Sequence, residues 1–328
     1  MIYSQDPLLE LLRQGKVPGE QGIPKHIETV ISNVFLFGER VYKVYKENNE
    51  FVNNNFVDIS QTPERMAFSR EDFEWNAQLA KEVYLSLQPV KVEEASLVFL
   101  DTPEGAEEFL LVTKRLPSEA SVFEHLRKND LTNTDYYEMG KQFSVREQHF
   151  IEHEDAGEIS LLENMKGRSI DVDEWMKSVE EYLPTSERVT YMAQLESSIS
   201  EIYGNDTRKT STCIDFHSLN AFYVEQILYP FDCFSIKYEW RFGPALLNIY
   251  RFATDVFGLV GEKEFRAIIQ GYHDARGTTS VSEEIERHLV SYAAFIMVPY
   301  LYMLGKNDPD KHEAAIRYHN FLRQYTAA

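Results

Sequence analysis

The sequence predicts an α+β chain of two lobes: a small antiparallel-sheet lobe over residues 1–116 and a larger, mainly helical lobe over 117–328. Three observations carry that expectation. Between residues 27 and 46 the chain reads IETVISNVFLFGERVYKVYK, rich in Val, Ile, Phe and Tyr and broken at Gly38-Glu39-Arg40, the pattern of antiparallel strands joined by a tight turn. Past Pro117 the apolar residues change to helical spacing almost everywhere. The length, 328 residues, exceeds what one simple core accommodates.

Taken in order, residues 5–15 read as a short amphipathic helix ended by Gly15, with Pro18 and Gly19 making a turn. Two or three antiparallel strands follow over 27–46. On the last of them Val41, Lys43 and Tyr45 share one face, and Tyr42, Val44 and Lys46 share the other. NNEFVNNNFVDIS (48–60) is polar and reads as a loop. Pro63 opens a helix to about residue 82, with Phe68, Trp75 and Leu79 near helical spacing. Strands over 87–93, 96–101 and 108–114 complete a five-stranded sheet with one helix, and Pro117 marks a linker. Beyond it, helices are expected at 121–128, 134–150, 170–182, 186–203, 241–257, 262–273, 280–304 and 309–325, interrupted by strands around 211–234. No repeat or low-complexity tract breaks this organisation.

Composition narrows the function. A hydrophobic fraction of 43% and an aromatic fraction of 13% exclude a disordered chain. A net charge of −20, from 53 acids against 33 bases, argues against nucleic acid and anionic membrane surfaces as partners and is compatible with cationic ligands. The acidic stretches EDAGE (154–158), EEY (180–182) and SEEIE (282–286) are most simply solvated helix faces. Cys213 and Cys233 are the only cysteines and form no CxxC pair, so a structural zinc site is not expected. The opening MIYSQDPLLELLRQ has no basic stretch followed by a long apolar one, so a cytoplasmic protein is expected. LVSYAAFIMVPYLYML (289–304) is interrupted by Pro299 and reads as a buried helix pair rather than a membrane span.

Reactive side chains crowd into two neighbouring segments, CIDFHSLNAF (213–222) and PFDCF (230–234). Asp215, Asn220 and Asp232 stand there among apolar neighbours. Buried carboxylates need a partner, a hydrogen-bonded shell or a cation to offset their desolvation. Asp and Asn oxygens suit a hard cation such as magnesium, which takes a few protein ligands and completes its shell with phosphate oxygens. A carboxylate left free of the metal can orient or deprotonate a hydroxyl. Upstream, Lys43 lies on a strand and Asp72 or Glu74 on the following helix, an order suited to gripping nucleotide phosphates. Lys43 and Lys46 lie on opposite strand faces, so only one of them can point inward. A strand lysine, a helix acid, a hinge, then D-x-x-x-x-N and a further D is the order of parts in kinase-like phosphotransferases.

On these residues the chain resembles the aminoglycoside phosphotransferase-like branch of the protein-kinase-like superfamily, over roughly residues 20–305, with 151–205 the loosest part. The branch motif H-G-D-L-H-x-x-N is matched by Cys213-Ile214-Asp215-Phe216-His217-Ser218-Leu219-Asn220, and its following F-D by Phe231-Asp232. The resemblance implies a protein-kinase-like two-lobed fold, with nucleotide binding in 1–116 and the catalytic loop, metal site and substrate side in 117–328. It implies Asp215 as catalytic base and Asn220 and Asp232 as magnesium ligands. Lys43 would contact the phosphates of ATP or another nucleoside triphosphate, with Asp72 as its partner. Ile31, Ser32 and Asn33 would form the loop over the phosphates, and Val112 to Arg115, including Lys114, the hinge beside the base. The three site side chains are then expected to converge on one cleft, with His217 as a bracing core residue.

The implied activity is ATP- and magnesium-dependent transfer of the γ-phosphoryl group to a hydroxyl of a small molecule, an amine-bearing one being among the candidates. The branch's leading His-Gly is Cys213-Ile214 here, Pro244 and Asn248 stand where it usually has aspartates while Asp255 is kept, and the phosphate loop contains no glycine. These departures define the alternative: a catalytically weak or inactive kinase-like nucleotide-binding module.

Overall fold

The computed structural model describes residues 4–148, 172–205, 210–211, 215–244 and 246–327. The chain divides into two compact units, Met1–Ser118 and Glu119–Ala328.

In the first unit, α1 (Asp6–Arg13) precedes β1 (Lys25–Glu28), β2 (Ser32–Leu36) and β3 (Arg40–Tyr45). Then come α2 (Glu50–Asn55), α3 (Thr62–Ala80), β4 (Tyr84–Glu93), β5 (Ser96–Phe99) and β6 (Glu108–Lys114). The strands form one six-stranded antiparallel sheet in the order β1-β2-β3-β6-β4-β5. The sequence predicts five strands and one helix. The extra strand is the short β1, and α2 interrupts the stretch read as a loop, where Asn49 caps the helix by accepting from the Val52 N–H at 3.0 Å. Period-two alternation sorts the sheet's side chains. Phe35, Tyr42, Val44, Leu110 and Val112 pack with the four buried leucines of α1. Lys43 pairs across the sheet with Val34 and Leu111, with its neighbours Tyr42 and Val44 in the core beneath α1.

A fully buried ion pair fastens the start of α3 to this sheet. Arg65 Nε donates to Glu108 Oε2 at 2.6 Å, and Gln5 Nε2 donates to the same carboxylate oxygen at 3.0 Å. Three more guanidinium N–H groups reach the Ile59 and Ser60 carbonyls and the Thr62 hydroxyl. Burial pushes the Glu108 carboxyl up, and the Arg65 charge pulls it back.

The second unit is mainly helical. Its helices are α4 (Val122–Lys128), α5 (Asn133–Glu147), α6 (172–178), α7 (Thr185–Asn205), α8 (Leu246–Leu259), α9 (Glu262–Arg276), α10 (Glu283–Gly305) and α11 (Pro309–Ala327). The strands are β7 (Thr210–Ser211), β8 (Ala221–Val224), β9 (Ile227–Pro230) and β10 (Phe242–Gly243), paired as β7 with β10 and β8 with β9. Helices α5 and α9 touch backbone to backbone. A Cβ on Gly140 would stand 2.0 Å from the Ile268 carbonyl oxygen, and one on Gly271 equally close to that of Tyr137.

Three expectations change here. α10 is one continuous helix with Pro299 inside it, not a helix pair, because its neighbours bury it on nearly all sides. It is long and apolar enough to cross a membrane, yet 78% of its most apolar window is buried, the signature of a core helix. Second, α8 begins at Leu246, since 238–241 is a short 3-10 turn leading into β10. Third, Glu286 is not a solvated face residue. It is buried, accepts from the Tyr250 hydroxyl at 3.1 Å and pairs with Arg266 at 2.5 Å. The stretch 154–158, Cys213 and Ile214 lie outside the described residues.

Candidate active site

Lys43 reaches Asp72 because β3 and α3 are both regular. The ammonium lies 3.2 Å from Asp72 Oδ2, with the carboxylate side chain almost completely buried. The Tyr45 hydroxyl donates to the same oxygen at 2.6 Å, and Asn76 Nδ2 donates to Oδ1 at 2.5 Å. Tyr45 follows Lys43 by two residues on a strand, and Asn76 follows Asp72 by one helical turn, so both geometries follow from the secondary-structure periods. The Lys43 ammonium also sits 4.9 Å from the centroid of the Tyr45 ring, which Phe68 meets edge-on. Glu74, two residues along α3, is exposed. Lys46 points away and bonds Glu28 and the Thr29 carbonyl.

The nucleotide-loop and hinge candidates are placed as follows. Ser32 and Asn33 open β2, and the turn itself is 29–31. Thr29 and Ser32 bond each other through their hydroxyls and backbone, and Asn33 Oδ1 lies 2.9 Å from His26 Nε2. The side chain of Val112 is in the core beneath α1. The N–H groups of Lys114 and Arg115 donate to the carbonyls of Val83 and Glu39 at 2.8 and 2.7 Å. The Leu116 N–H has no backbone partner among the described residues, and Pro117 has no N–H.

In the second unit the hairpin β8–β9 explains the spacing of Asn220 and Asp232. Its turn is Glu225-Gln226, both at positive φ (51° and 65°), and its register sets Ala221 opposite Pro230. Asn220 and Phe231 therefore face each other at the open end, where the Phe231 N–H donates to the Asn220 carbonyl at 2.8 Å. Asp232 comes next with φ of 51°, a left-handed conformation that aspartate tolerates. The Asn220 amide nitrogen then ties three residues together, donating to the backbone carbonyls of Asp215 at 3.0 Å and Asp232 at 3.2 Å. Those two bonds fix the amide's orientation. Its oxygen has no hydrogen-bond partner among the described residues and is left as an acceptor.

The loop carrying Asp215 is held from below. Phe216 is stacked between Phe143 of α5, 4.1 Å between centroids, and Phe252 of α8, at 4.6 Å. The Ser218 N–H and hydroxyl both donate to Asp255 Oδ2, at 2.8 and 2.6 Å, and the Tyr318 hydroxyl of α11 donates to Oδ1 at 3.1 Å. Burial drives the Asp255 carboxyl up, opposed by the Arg251 charge 3.9 Å away and by the Ser218 donors. His217 is buried, its ring 5.7 Å from that of Tyr300. Cys233 is buried beside the Phe231 carbonyl.

The sequence reading missed Tyr45, Asn76, Ser218 and Tyr318 as supporting groups. The first two were findable, since they stand at i+2 and i+4 from Lys43 and Asp72. The Ser218–Asp255–Tyr318 contact leaves no local signal, because its members are 37 and 63 residues apart.

The magnesium fit rests on the donor chemistry. Among the described residues no three His, Cys, Asp or Glu side chains gather into a metal cluster. Magnesium does not require one: an asparagine oxygen and one carboxylate, completed by phosphate oxygens and water, suit it. Asn220 and Asp232 are such a pair.

No family model and no curated protein matches the sequence. Solved structures do match. Choline kinase LicA from Streptococcus pneumoniae is 14% identical, aligned over 99% of this chain and 100% of that one, with a TM-score of 0.54. Choline kinase from Cryptosporidium parvum Iowa II is 12% identical over 99% and 96%, at 0.52. A glucosamine kinase in complex with glucosamine, ADP and inorganic phosphate is 10% identical over 93% and 81%, at 0.50. At these identities the likeness is one of fold. The chain has the two-lobed protein-kinase-like fold of small-molecule kinases, with an antiparallel-sheet N-terminal part and a mainly helical C-terminal part.

Proposed function

We propose that this chain is a magnesium-dependent phosphotransferase that moves the γ-phosphoryl group of ATP to a hydroxyl of a small molecule. The observation that carries the reading is the Asn220 amide. It binds Asp215 and Asp232 through their carbonyls and keeps its own oxygen available beside them. Kinase-like fold alone would not imply chemistry; what supports it is that Asn220, Asp215 and Asp232 are joined through these two bonds, so that they could serve as a metal pair and a base.

Each residue then has a role. Asn220 and Asp232 would hold magnesium, which supplies charge neutralisation for the phosphates when bound. Lys43, held by Asp72, would contact the phosphates, and the backbone at Leu116 would take the base. Asp215 would orient the acceptor hydroxyl and accept its proton as that oxygen bonds to phosphorus and the bond from phosphorus to the β–γ bridging oxygen breaks, releasing ADP. Most of the acceleration would come from positioning and electrostatics. The net charge of −20 suits a cationic acceptor, and an amine-bearing alcohol is the first class to test. A cytoplasmic site of action fits the use of MgATP.

One observation favours the rival reading of an inactive nucleotide-binding module. The turn at 29–31 has no glycine, and Ser32 and Asn33 are occupied by Thr29 and His26 instead of standing free for phosphate. The test is calorimetric titration with ATP, with and without magnesium, followed by ADP release across a panel of amino alcohols, choline-like amines and amino sugars. Magnesium-dependent binding with turnover on one acceptor class supports the enzyme. Tight binding with no transfer to any acceptor supports the module, and no binding at all defeats both.

A further inference from the structure

Asp72 is more heavily partnered than a lysine's counter-ion needs to be. Three donors from three side chains converge on its two oxygens: Lys43 at 3.2 Å and Tyr45 at 2.6 Å on Oδ2, Asn76 at 2.5 Å on Oδ1. Both neutral donors are buried, and so is the carboxylate. A carboxylate in such a place, held by Lys43 alone, would lose its compensation whenever the ammonium turned toward an arriving phosphate.

We infer that Tyr45 and Asn76 are positioning residues that form a fixed clamp on Asp72, keeping it ionised and in place so that Lys43 can share its charge with the nucleotide's phosphates. This inference rests on the phosphotransferase reading and deepens it. The neutral donors do not compete for phosphate, because each is directed at Asp72 from a rigid element. Tyr45 does a second thing: its ring lies 4.9 Å from the ammonium, so it holds both members of the ion pair. The clamp fits the short side chain at position 72. An aspartate gives Lys43 less reach than a glutamate would, and the two extra donors fix where its oxygens stand. A purely packing role would explain the edge-on contact with Phe68 at 4.8 Å. It would not explain a hydroxyl at 2.6 Å from the oxygen that Lys43 uses.

The test uses the full chain and calorimetry with two probes, MgATP and adenosine, the second lacking phosphate. Tyr45→Phe should raise the Kd for MgATP about tenfold, the scale of a hydrogen bond to a charged group, and leave adenosine affinity within about twofold. Asn76→Leu should act in the same direction on MgATP alone. Phe68→Leu loosens the packing on the Tyr45 ring while keeping the three donors to Asp72; it should lower Tm and leave both affinities unchanged. Equal MgATP affinity in the parent and in Tyr45→Phe overturns the clamp while leaving the phosphotransferase reading intact. A Phe68→Leu effect on MgATP as large as that of Tyr45→Phe overturns it too, since Tyr45 would then be a core residue only. A parent chain that binds no MgATP overturns the clamp and the reading beneath it together.

Discussion

The Lys43–Asp72 pair and the Asp215–Asn220–Asp232 loop are held in place by different means. The first stands on a strand and a helix, and its supports come from the next position on the same face of each element. The loop has no such frame. Only the 3-10 turn Ser218–Asn220 is regular, and its geometry depends on a stacked Phe216, on a buried carboxylate from α8 and on a tyrosine from α11. Regular elements preorganise side chains through the backbone. A loop needs buried contacts from elsewhere to do the same.

The largest expected effects lie in the loop. Asp232→Ala should abolish magnesium-dependent nucleotide binding. Asp215→Ala should leave MgATP affinity within about threefold and lower kcat by about 100- to 10,000-fold, since only the transition state needs that carboxylate. Calorimetry and single-turnover transfer measure the two separately. If both variants bind MgATP as the parent does and no phosphate transfer is seen, the loop is a relic and the contrast between the two regions carries no functional meaning.

In the sheet unit the largest effect should be on stability. Arg65→Leu removes the guanidinium that bonds the buried Glu108 carboxylate at 2.6 Å. Breaking a buried pair from one side costs about 3–5 kcal/mol, because it strands the remaining charge. A denaturant midpoint should report the loss, and pairing it with Glu108→Leu should recover much of it. Recovery would show that the pair serves the placement of α3, and hence of Asp72, more than net stability.

Helix α11 links the loop's support to pH. His319 is buried with Tyr302 and Tyr191 on its two ring nitrogens, and Glu187, itself paired with Arg323, beside it. Burial, and then the Arg323 charge, push its pKa down to about 4, against the pull of Glu187. The folded state therefore binds fewer protons here than the unfolded chain. Its contribution is fully present above pH ~6.5 and is lost as pH falls toward 4, up to about 3 kcal/mol. Thermal unfolding of the parent and of His319→Gln between pH 7 and pH 4 should show the shallower slope in the variant. Parallel slopes would remove His319 from the account.

How much of this was legible follows from the same contrast. The strand alternation of VYKVY put Lys43 and Lys46 on opposite faces, and it was the resemblance that chose Lys43, with Asp72 rather than Glu74 as its partner. The boundaries of β6, 108–114, were also readable, because the apolar run Phe109–Val112 is flanked by Glu108 and by Thr113-Lys114. The backbone bonds at 114 and 115 were not readable, since they depend on partners at Val83 and Glu39. The single helix through Pro299 was not readable, because tertiary burial outweighs the local effect of a proline. Nor was the Asp255 tether, which joins residues with no common period.

That tether gives the smallest effect and the sharpest comparison. Ser218→Ala deletes the hydroxyl at 2.6 Å from Asp255 and keeps the N–H at 2.8 Å. The carboxylate retains that donor and Tyr318, so the stability loss should be about 1 kcal/mol rather than the several expected for a stranded charge. The loop should nevertheless sit less firmly over α8, and Asp215 precedes Ser218 by only three residues. Misplacement of a reacting group by a fraction of an ångström lowers kcat before it weakens binding. Ser218→Ala should therefore reduce kcat several-fold with the Kd for MgATP unchanged, the reverse of the pattern expected for Tyr45→Phe. Measured side by side, the two variants separate a support for nucleotide binding from a support for the chemical step. If Ser218→Ala instead weakens MgATP binding with kcat intact, the loop's tether serves the metal pair through Asn220 and not the carboxylate of Asp215.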